Sequence, residues 1–141
     1  MISLSLPITS LLAGFMAIFI MVLNVQYSIR QIQLGGDVFK NMKDDAGDDK
    51  LTRLRIAFLS ATFNIPMSIL LLGLMELGGA SRPQVIVLAV TLIVSRVLHV
   101  IGCMYETLPK IRTFAIMIQF GYFTVCGIWL MSSAYYLLSF K

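Results

Sequence analysis

Four stretches of this chain are each long and apolar enough to cross a bilayer, which rules out most folds before any motif is read. A spanning helix needs about 20 mostly apolar residues, because its backbone must satisfy its own hydrogen bonds where there is no water. The windows run approximately over Leu4–Ser28, Ile56–Leu77, Gln84–Met104 and Thr113–Ser139. Only 13% of the residues are charged, against roughly 25% in ordinary soluble domains. The expected class is therefore all-α: one integral membrane four-helix bundle spanning residues 1–141, with no internal repeat. The opening MISLSLPITSLLAGF has no basic residue ahead of its apolar run and no evident cleavage site. It reads as a retained span and not as a signal peptide.

The connectors are unequal. Residues 29–52 are long and polar, with turn signals at Gly35-Gly36 and Ala46-Gly47 and room for a short surface helix between them. GGASRP (78–83) and YETLPKIR (105–112) are tight hairpins. Pro7 and Pro83 stand near helix starts, where a missing N–H does no harm. Pro66 lies inside the second span, where it should kink or loosen the backbone.

Basic residues set the orientation. Arg30, Lys40, Lys43, Lys50, Arg53 and Arg55 flank or occupy the first connector, and Lys110 and Arg112 the third. The other side carries Arg82 and Lys141. Both basic connectors should therefore be cytoplasmic, with the two termini on the opposite side. The sequence pI of about 9.3 is explained this way, so nucleic acid is not an expected partner. Cys103 and Cys126 lie far apart in apolar runs, without CxxC or metal-ligand spacing, and read as buried thiols.

Two polar residues stand where hydrocarbon should be: Arg96 and His99, in VSRVLHVIG. An arginine at the centre of a span costs about 2.5–3.5 kcal/mol on insertion scales, so it should face protein or a wet cavity and seek an anion. Arg96, His99, Cys103 and Glu106 share one helical face by their spacing. On the second span, Arg55, Leu59, Thr62 and Pro66 share one face, and Arg53, Ala57, Ser60 and Asn64 another. Structurally, Arg96 could pair with Glu106, with Glu76 of the second span, or with backbone carbonyls of a neighbouring helix. Ser60, Thr62 and Asn64 read most simply as helix-packing groups. The functional reading instead gathers Arg30, Arg55, Arg96 and Arg112 into a cationic pocket for an amphipathic anion.

The stretches DDKLTRLRIAFLSATFNIPMSILLLGLMEL, SRVLHVIG and LPKIRTF resemble the MAPEG family, the membrane-associated proteins in eicosanoid and glutathione metabolism. The resemblance covers most of the chain. It implies a homotrimer of four-helix protomers, with glutathione held between neighbours and a lipophilic small molecule as second substrate. Arg55 and Pro66 keep the family's spacing on helix two, but Leu59 and Thr62 stand where its glutathione-binding Asn and Glu would be. Arg96 and His99 match an Arg-x-x-His. Cys103 and Ile116 replace tyrosines of several relatives. The resemblance makes Arg112 the residue that activates the thiolate, and Arg30, Arg55, Arg96 and His99 the ligand-binding set. A glutathione-dependent transferase or peroxidase is one expectation. The others are a non-catalytic lipid- or small-anion-binding protein on the same scaffold, and a helical subunit whose charges are structural.

Overall fold

The computed structural model describes residues 6–33, 49–105 and 109–139. It is an all-α bundle of four membrane-length apolar helices: α1 (Pro7–Gln33), α2 (Asp49–Leu77), α3 (Arg82–Met104) and α4 (Pro109–Ser139). The helices are longer than the apolar windows. α1 continues through Arg30 to Gln33, and α2 starts ahead of Lys50 and Arg53. Polar side chains do not end a helix. Lys, Arg and Gln are good helix formers, so the helix continues past the hydrocarbon. The turn signals and the surface helix expected between residues 34 and 48 lie outside the described residues.

α2 runs through Pro66 without a break. The missing N–H leaves the Thr62 carbonyl without its helical donor. The turn after α2 is fixed by Gly79, whose φ of 86° suits a residue with no Cβ. Ala80 N–H donates to the Met75 carbonyl (3.0 Å) and Gly79 N–H to that of Glu76 (3.4 Å), which closes the orphan carbonyls of α2. α3 starts at once. Ser81 N–H donates to Gln84 Oε1 (3.1 Å), and Pro83 sits in the first turn.

The beginning of α1 is closed from a distance. The Glu76 carboxylate, at the end of α2, accepts the N–H groups of Ile8 (3.3 Å) and Thr9 (3.0 Å) and the Thr9 hydroxyl (2.6 Å). At the other end of this antiparallel pair, Tyr27 stacks on Phe58 with centroids 6.3 Å apart. That register sets Arg30 level with Arg55. The apolar core joins Leu12 and Met16 of α1, Ile65 and Leu72 of α2, Leu92 of α3 and Cys126 of α4.

Candidate functional site

Lipid is as apolar as leucine, so burying leucine between spans gains little. Small and hydrogen-bonding residues do more to choose which helix faces meet. Here they meet on Gln119 of α4. Its amide donates to Ser68 Oγ on α2 (2.9 Å) and its carbonyl accepts from Ser95 Oγ on α3 (3.3 Å). Tyr122 hydroxyl donates to the Ser68 carbonyl (2.8 Å). All four side chains are buried. One glutamine thus ties three helices at mid-span.

Beside this knot is a partly enclosed cavity of about 150 Å³. Arg96 and His99 of α3, Ser60 and Asn64 of α2, and Gln119 and Phe120 of α4 line it. Arg96 is 4% exposed, and its Nε has no hydrogen-bond acceptor. Asn64 spends its amide on the Ser60 carbonyl (2.8 Å) and reaches Ser60 Oγ at 3.4 Å, and Ser68 Oγ donates to the Asn64 carbonyl. Among the described residues, no donor reaches the side-chain oxygen of Asn64. The cavity therefore offers a guanidinium and an amide oxygen within apolar walls. An anionic or zwitterionic small group fits such a donor set.

The structural alternative for Arg96 is a carboxylate or a neighbouring helix's backbone carbonyl, and its Nε has neither among the described residues. Glu76 is not its partner: its oxygens are engaged at the far end of the bundle by α1. Glu106 lies outside the described residues.

The expected site residues fall into two places. Arg96 and His99 are buried together at the cavity. Arg112 is exposed on the first turn of α4, outside the cavity. Its position follows from Gly102: a Cβ there would stand 2.6 Å from the Arg112 amide nitrogen and 2.8 Å from its Cα. The backbones of α3 and α4 touch at that point, which only a glycine permits. Gly102 lies six positions after Arg96, so Arg112 sits about 9 Å nearer the bundle's end. Arg30 and Arg55, both partly buried, share that end and do not line the cavity. Cys103 Sγ lies 3.6 Å from His99 Nε2.

Thr62 faces outward with its hydroxyl on the Phe58 carbonyl (2.9 Å), so it offers nothing inward, and Leu59 is half-buried. Ser60 and Asn64, read from sequence as packing groups, line the cavity instead. Their four-residue spacing was the visible signal. Gln119 gave none, as a single polar residue in a long apolar run.

No curated protein and no solved structure matches the chain. A protein-family model does, over residues 6–133, which takes in all four helices and each of the five arginine and histidine positions above. This four-span bundle, matched over nearly its whole length, belongs to the MAPEG family.

Proposed function

We propose that the protein binds glutathione and uses it on lipophilic substrates, as a membrane transferase or peroxidase. The observation that supports this most is Arg96. A guanidinium buried to 4% exposure, with an orphan Nε and no carboxylate beside it among the described residues, is a site built for an anion. Arg96 would hold a carboxylate by a charge-assisted fork. His99 and Asn64 would orient the peptide near it. Arg30 and Arg55 would draw negative charge to that end of the bundle. Glutathione, when bound, would supply the nucleophilic thiol. Arg112 stands off the cavity, beside the α3–α4 contact, where its charge would stabilise a thiolate anchored at Arg96. The substrate's apolar part would approach from the bilayer past Phe120.

The proposal includes a homotrimer, with neighbours completing the site. The broad apolar faces of α1 and α4 suit contact with lipid or with another copy. It also includes a cytoplasmic location for the end carrying Arg30, Arg55 and Arg112, on the strength of the charge imbalance.

A second reading is a non-catalytic binder of a lipid or small anion. Thr62 and Leu59 favour it, because neither supplies an inward acceptor for an ammonium group. An ultraviolet difference titration with glutathione separates the two, run on detergent-solubilised protein and on Arg112→Ala. A thiolate band in the wild type, reduced about 100-fold or more in the variant at equal occupancy, is the expected result for the enzyme. Calorimetric binding without a band would establish the binder. Neither signal would end the glutathione reading.

A further inference from the structure

At the end of the bundle opposite the arginine cluster, α1 and α3 touch only lightly. A groove of about 670 Å³ opens between them. Arg82 and Pro7 stand at its mouth, and Leu11, Phe15, Ile86 and Val90 form its walls. Those four side chains are all exposed. The groove lies within two membrane spans, so its occupant comes from the bilayer or from another chain.

Three observations choose the occupant. The first is length. The lining runs from Pro7 to Phe15 on α1 and from Arg82 to Ile93 on α3, or about 12 Å and about 16 Å at the helical rise. One leaflet of the hydrocarbon core is about 15 Å deep. The groove starts at the hairpin end and stops near the midplane. A helix from a second copy would need a track along the whole span, whereas one acyl chain needs this much. The second is chemistry: the walls are apolar side chains without a polar group below the mouth. The third is charge. Arg82 is exposed at the mouth and makes no direct ion pair among the described residues. Glu76, at the end of α2, already accepts three hydrogen bonds from α1.

We propose that this groove is a binding site for an anionic phospholipid of the leaflet at the α2–α3 hairpin, with the phosphate on Arg82 and one acyl chain between α1 and α3. The site is separate from the Arg96 cavity and does not depend on the protein's being an enzyme.

Native mass spectrometry of the detergent-purified protein tests it, with dioleoyl phosphatidylglycerol and dioleoyl phosphatidylcholine as probes. One cation at a lipid headgroup corresponds to about a fivefold preference for the anionic lipid. Arg82→Gln should bring the preference to unity, and Arg82→Lys should keep most of it. Val90→Trp should fill the groove and reduce retention of both lipids, with the subunit number unchanged. Equal retention by the wild type, or a preference that survives Arg82→Gln, would overturn the proposal. So would a Val90→Trp protein that changes its subunit number and keeps its lipid, which would make the groove an interface between copies. Arg82 is on the surface, so Arg82→Gln is decisive even where the tryptophan variant does not fold.

Discussion

Arg96 is the residue whose presence costs most and explains most. Its guanidinium is buried beside His99, with an Nε that nothing in the described bundle accepts. A buried charge kept without a partner destabilises the empty protein, and replacing such a group by an apolar one of similar length is often neutral or stabilising. Arg96→Leu is therefore expected to raise the thermal midpoint of the ligand-free protein in detergent and to abolish binding of carboxylate ligands. A structural role predicts the reverse. If the variant unfolds several degrees lower, Arg96 has an anionic partner, and Glu106 becomes the first place to look. Gln119 shows the opposite case. Its amide is satisfied from both sides, by Ser68 and Ser95, and its worth lies in fixing which faces of α2, α3 and α4 meet.

Among the elements, the α3–α4 junction carries the sharpest constraint. A methyl group at Gly102 would meet the backbone of Arg112 at 2.6–2.8 Å, and backbone cannot swing aside as a side chain can. Gly102→Ala should therefore push the first turn of α4 outward, at about 1–3 kcal/mol. The same change moves Arg112. On the proposed mechanism the glutathione thiolate band should weaken in Gly102→Ala while carboxylate binding at Arg96 persists. A stable Gly102→Ala protein with an unchanged band would separate Arg112's position from its role. Much at this scale was legible in the sequence. The four spans, a hairpin within residues 78–83 and the shared face of Arg96 and His99 follow from hydropathy, turn residues and helical spacing alone. The helix ends did not, because Lys50 and Arg53 lengthen α2 where hydropathy stops. Nor did the role of Gly102, which depends on what α4 places against it. Asn64 shows the same limit: its face was readable, but whether that face met a helix or a cavity depended on Arg96 standing opposite.

For the whole molecule, polarity is distributed inside out. The buried interior holds Ser68, Ser95, Arg96, His99 and Gln119, while α1 and α4 present rows of large apolar residues outward. Hydropathy identifies such a bundle easily and says little about which apolar face meets lipid and which meets another copy. Sedimentation in detergent, corrected for bound detergent, is expected to give three chains per particle. A monomer would remove the neighbour's contribution from the proposed glutathione site and leave the Arg96 cavity as the whole of it. The bond between Glu76 and the start of α1 bears on how such a molecule is made. Among the described residues, the Ile8 and Thr9 amides at the start of α1 find their acceptor in Glu76, 67 residues downstream of Thr9. A nascent chain released after its first span has an open end in the membrane. Only delivery of the second span supplies the missing carboxylate. The smallest piece of this protein that holds the α1 start closed by Glu76 is thus the α1–α2 pair, and a chain stopped before Glu76 lacks that closure.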